Sequence, residues 1–136
     1  MHEIRALPDQ PDGLAPDGSR VRILPGLAAG SFAHFELPPG ATSVAVRHST
    51  VEEIWHFTGG RGRLWRRHEG LTQVHEVSAG TTITIPLGTE FQFRSTTDEP
   101  LTAVACTMPP WPGDGEAVRV DGPWAPTVEP GPGLAS

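Results

Sequence analysis

A histidine and a glutamate five positions apart, His48 and Glu53, are the pair in this chain best suited to chemistry. They lie in the run GATSVAVRHSTVEEIWHFTGG, residues 40–60. Alternation puts Val44, Val46 and His48 on one face of a first strand and Glu53, Trp55 and Phe57 on one face of the next. A turn between the strands brings imidazole and carboxyl together. A glutamate beside an imidazole in an apolar cleft is suited to moving protons near neutral pH. Such a pair can enolise a carbonyl compound, shift a double bond, epimerise a carbon or close a ring. Around it, Val46, Trp55, Phe57, Phe91 and Phe93 supply apolar and flat aromatic surface for a ring-bearing ligand. Arg63 reaches a carboxylate-bearing ligand if its strand lines the mouth of the pocket. Cys106 joins the pocket if the last strand turns it inward, and His34 shares that ambiguity.

The elements that must hold these residues are short strands. The chain has 136 residues, enough for one domain and one core. Its 16 glycines and 15 prolines punctuate it too often for long helices. Strands are expected over 20–24, 31–37, 43–48, 53–57, 62–68, 72–77, 81–85, 90–94 and 101–108, with a hairpin turn at Glu69-Gly70. Regular spacing of this kind means a sandwich or barrel. Residues 1–18, rich in Pro, Asp and Gly, read as an extended arm that is loose or lies on a partner subunit. Residues 19–112 form the barrel, and 113–136 a Pro/Gly-rich tail pinned by Trp111 and Trp124.

Composition narrows the partners. All ten basic residues are arginine and the formal net charge is −6, so no basic stripe offers itself to nucleic acid. No apolar run is long enough to span a membrane, and the first residues do not open a signal peptide, which predicts a cytoplasmic protein. A single cysteine excludes an internal disulfide framework and a thiolate zinc cluster.

A second run has a related spacing: Gly80, five residues, Pro86, Leu87, Gly88, two residues, Phe91, three residues, Ser95. Together the two runs resemble the paired motifs of the cupin family, matching at Gly40, His48, Glu53, Gly60, Gly80, Pro86 and Gly88. The resemblance covers residues 20 to 110 or so. It implies an all-β jelly-roll barrel, paired as a homodimer, with the second run forming the wall opposite the first. It also implies a metal site of three histidines and one glutamate. Here Val46 and Phe91 stand where two of those histidines are expected, and Ser95 replaces the closing asparagine, so His48 and Glu53 are the remaining ligands. Catalytic metal sites generally keep three protein ligands. The leading expectation is therefore a cofactor-free enzyme of isomerase, epimerase, cyclase or lyase type, with Glu53 and His48 catalytic. A second reading is a metal-dependent cupin of dioxygenase or isomerase type, holding a divalent ion through His48, Glu53 and a further ligand. A third is a non-catalytic binding or structural protein, in which the aromatic residues only fill the barrel.

Overall fold

The computed structural model describes residues 2–136. Among the described residues eleven strands form two antiparallel sheets that face each other across the core. The first sheet runs β1 (Gly13–Leu14), β2 (Arg20–Leu27), β3 (Gly30–Leu37), β10 (Leu101–Met108), β5 (Glu52–Gly59), β8 (Thr82–Ile85). The second runs β11 (Ala117–Arg119), β4 (Val46–His48), β9 (Glu90–Ser95), β6 (Arg61–His68), β7 (Leu71–Ser78). The all-β reading is met. Among the described residues no helix is long and apolar enough to cross a membrane.

Period-two alternation explains which side chains are inside. Along β5, Glu53, Trp55 and Phe57 are buried while Glu52, Ile54 and His56 face out. Along β10, Leu101, Ala103, Ala105 and Thr107 point in. One row across the first sheet runs Ile23, Ala33, Ala105, Trp55, Ile83. Two alanines in that row stand between the larger residues, and one of them, Ala33, lines the hollow beside Trp55. The β6–β7 hairpin closes on Glu69 and Gly70 with φ of 50° and 80°, the two left-handed positions of a type I′ turn.

Three expectations need correction. The His48 strand is shorter than 43–48: the Val44 amide donates to the Asp17 carbonyl at 2.9 Å, which leaves only Val46–His48 in the ladder. His48 and Glu53 belong to different sheets, so the turn between them crosses the barrel wall rather than closing a hairpin. The second motif run lies beside the first, not opposite it. Its strands pair with those of the first run, Val46 with Phe91 and Glu53 with Ile85.

Parts of both terminal segments are bonded to the barrel. In the N-terminal arm, Asp12 N donates to Val21 O, and Arg22 donates to the carbonyls of Pro8 and Asp9. The C-terminal tail supplies β11, which pairs with β4 directly beside His48.

Gly60, the last glycine of the first motif run, takes φ +77, and a Cβ there would fall 2.2 Å from the Pro100 carbonyl oxygen. Gly60→Ala should lower stability by about 2 kcal/mol or more through left-handed strain and overlap with fixed backbone. Urea unfolding should show a lower midpoint at unchanged slope; an unchanged midpoint would contradict the packing.

Candidate functional site

One end of the barrel holds a cavity of about 340 Å³. His48 comes from β4 and Glu53 from β5, and both open into it. Both residues are almost fully enclosed, at 6% and 4% exposure. His48 Nδ1 lies 3.6 Å from Glu53 Oε1, too far for a hydrogen bond, and is buried without a partner among the described residues. Glu53 is anchored at both oxygens. Trp55 Nε1 donates to Oε1 at 3.0 Å, and Thr107 Oγ1 donates to Oε2. The anchors follow from strand geometry: Trp55 is two residues along the same inward face, and Thr107 is the cross-strand neighbour of Glu53.

The rest of the wall is aromatic. Phe91 and Trp111 meet the imidazole edge-on, with centroids at 5.2 and 5.1 Å. Trp55 stacks on Phe35 at 6.0 Å and meets Phe91 nearly at right angles. These are the offset and edge arrangements that aromatic rings prefer.

The turn joining the two functional strands is held from the far end of the chain. Glu116 accepts from the amides of Thr50 and Val51 and from the Thr50 hydroxyl. Burial works to raise its carboxyl, but these bonds and that of Ser49 outweigh it and hold the group below its ordinary value.

Another carboxyl shares the cavity with Glu53. Asp17, 6% exposed, lines the same space from the N-terminal loop. Its Oδ1 takes both Ser19 donors, the amide at 2.9 Å and the hydroxyl at 2.6 Å. Gly18, at φ +89, allows the loop to press against the tail, where a Cβ would meet Val128 at 2.4 Å.

Of the residues expected at the site, Val46, His48, Glu53, Trp55 and Phe91 line the cavity. Phe57 and Phe93 are buried in the core behind it, outside the lining. Two positions are corrected. Arg63 projects outward on β6 and pairs with Glu76 at 2.9 Å, because its inward neighbours are Gly62 and Leu64. Cys106 faces away from the cavity, since alternation along β10 turns Ala105 and Thr107 inward. His34 is likewise on the outer face, beside Arg22 and Val104. Sequence reasoning missed Asp17, Phe35, Thr107 and Glu116. Trp111, expected to pin the tail, also lines the cavity.

The family's metal does not fit these residues. His48 and Glu53 offer two donors, and the neighbouring positions are hydrocarbon, Val46 and Phe91. Among the described residues no group of three or more His, Cys, Asp or Glu side chains gathers closely enough to hold an ion.

Burial pushes the Asp17 carboxyl up from its ordinary 3.8, against the lowering by the Ser19 bonds and by His48, with Glu53 adding to the rise. A carboxyl with a higher pKa folded than unfolded holds its proton more tightly in the native state. Its contribution is fully present below 3.8 and is lost as pH rises through the folded value. Asp17→Asn keeps an acceptor for Ser19 and removes the charge. Its melting temperature should match wild type near pH ~3.5 and exceed it at pH ~7. Melting curves that differ by the same amount at both pH values would contradict this.

Comparison with known proteins agrees with the architecture. The family model described as "Cupin domain" matches residues 33–107. An uncharacterized protein of Methanocaldococcus jannaschii is 32% identical over 103 residues, covering 72% of this chain and 79% of that protein. The formate complex of Lactobacillus farciminis oxalate decarboxylase has a TM-score of 0.63 at 23% identity, over 70% of this chain and 30% of that one. The capsular polysaccharide assembling protein CapF of Staphylococcus aureus has a TM-score of 0.67 at 17% identity, over 78% of this chain and 33% of that one. The chain thus spans about a third of the length of those two solved structures, and at such identity the likeness is one of fold. With the matched span running from β3 through β10 and taking in more than half of the chain, this protein belongs to the cupin family.

Proposed function

We propose that the chain is a small-molecule enzyme that moves protons within its aromatic cavity, an isomerase, epimerase, cyclase or lyase in type. One observation carries this reading: a buried imidazole and a buried carboxyl sit side by side on a cavity large enough for a ligand. At about 340 Å³ the cavity lies near the lower end of ligand pockets, which run to about 1,000 Å³. That size favours a compound with one ring.

The roles follow from the contacts. Trp55 Nε1 can only donate, so Glu53 Oε1 is an acceptor there and faces His48 Nδ1. His48 Nε2 takes a proton from the substrate, and Glu53 stabilises the imidazolium that forms. The same nitrogen returns the proton at a second position. Asp17 is a further carboxyl on the same space. The apolar walls keep bulk water from competing for the proton.

The direct test is solvent deuterium exchange into candidate substrates, followed by proton NMR over a panel of carbonyl and ring compounds. Wild type should exchange at one carbon of its substrate. Glu53→Gln should slow the exchange by about 10²-fold or more while binding stays nearly intact. Exchange in Glu53→Gln at the wild-type rate would end the proton-transfer reading. Binding without exchange or turnover across the panel would favour a non-catalytic ligand carrier.

A further inference from the structure

The charges lining the cavity are one-sided. Its charged or titratable residues are Asp17, Glu53, Asp114 and His48. The chain has no lysine, and none of its ten arginines lines the cavity. Arg22, on the strand that contributes Val21 and Ile23 to the wall, faces the other way and is occupied by Glu36 and by the carbonyls of Pro8 and Asp9. An anionic ligand would leave water for a space with no fixed cation and three carboxyls, which is a costly exchange.

Two features favour the opposite charge. The walls include Phe35, Trp55, Phe91 and Trp111, and aromatic rings can attract a cation to their faces. Asp17 is more than nine-tenths buried, and only its Oδ1 is engaged; Oδ2 meets no donor among the described residues. His48 Nδ1 is an enclosed polar atom left without a partner among the described residues. A polar atom at this depth needs a donor or acceptor from somewhere.

We propose that the ligand of this cavity is an ammonium-bearing ring compound, with its amine directed at Asp17 and its ring resting on the aromatic wall of Phe35, Trp55, Phe91 and Trp111. This deepens the functional reading above and rests on it only in taking the cavity as the ligand site. Small carboxylates of the oxalate or formate kind are the ligands this lining excludes.

Three near-isosteric probes test the charge preference without any turnover: 2-phenylethylamine, 2-phenylethanol and 3-phenylpropionate. Each is titrated into the full chain near neutral pH, with tryptophan fluorescence and calorimetry as readouts. The amine should bind at least about tenfold more tightly than the carboxylate, with the alcohol between them. Asp17→Asn should weaken the amine by about tenfold and leave the alcohol nearly unchanged. Circular dichroism of the variant guards against a folding defect, and Asp17→Glu, which retains the charge, should keep the amine preference. A carboxylate that binds as tightly as the amine overturns the proposal. So does failure of all three probes to bind, or amine binding indifferent to Asp17→Asn. Loss of deuterium exchange with the amine preference intact would sink the reaction and leave the ligand class standing. Exchange on an anionic substrate would do the reverse.

Discussion

A carboxyl group enclosed by hydrocarbon must be supplied with donors, and Glu53 imposes that requirement on this barrel. Leaving a buried polar group without a partner costs on the order of 1–3 kcal/mol, more if it is charged. Trp55 and Thr107 answer it from the two neighbouring inward positions that the sheet offers. Trp55 is thereby fixed in place by its ring nitrogen, and its ring faces organise Phe35, Phe91 and Phe93 around it. The cavity is the space beside that fixed indole, with Ala33 of its row on the wall. A methyl group at Thr107 in place of its hydroxyl would unfasten one oxygen, and the indole alone would then define where the carboxylate points.

The imidazole is placed by a different means. Among the described residues no hydrogen bond holds His48 Nδ1; the ring's position comes from backbone and from packing. Val46 pairs with Phe91, Ala117 pairs with His48, and Glu116 ties down the turn that follows. Phe91 and Trp111 then meet the ring on its edges.

Much of this was legible in the chain. Strict alternation over Glu52–Gly59 and Leu101–Met108 fixed what faces inward, once a single anchor such as Trp55 was known to be inside. Cys106 and Arg63 show the limit. Each belongs to a strand whose period was plain but whose phase depended on partners far along the chain. A slip of one residue exchanges inside for outside. Sheet membership was hidden for the same reason, because nothing local says that the strand ending at His48 and the strand carrying Glu53 join different sheets. Asp17 was hidden more deeply. An aspartate next to a glycine in a proline-rich run reads as a solvated turn residue. Its burial depends on Gly18 lying against Val128 and Glu129, and on Val44 reaching its carbonyl.

The residues outside the matched family span carry a disproportionate share of the site's individuality. Residues 33–107 provide His48, Glu53, Trp55, Phe91 and Thr107, the frame on which a ligand can be held. Asp17, Trp111 and Asp114 come from the terminal segments that close one end of that frame. Within the span, Val46 and Phe91 present hydrocarbon at two positions where the family resemblance implies metal ligands. Beyond it, the termini add carboxyls and an indole but no cation. The two changes act in the same direction. A cavity that offers a small anion neither a metal nor a guanidinium has lost both ordinary means of holding one, whereas an apolar body with a positive or neutral polar end finds aromatic faces and acceptors already in place. Closing segments attached to a rigid barrel can be rewritten without disturbing the core, which is where a shared fold acquires separate chemistry.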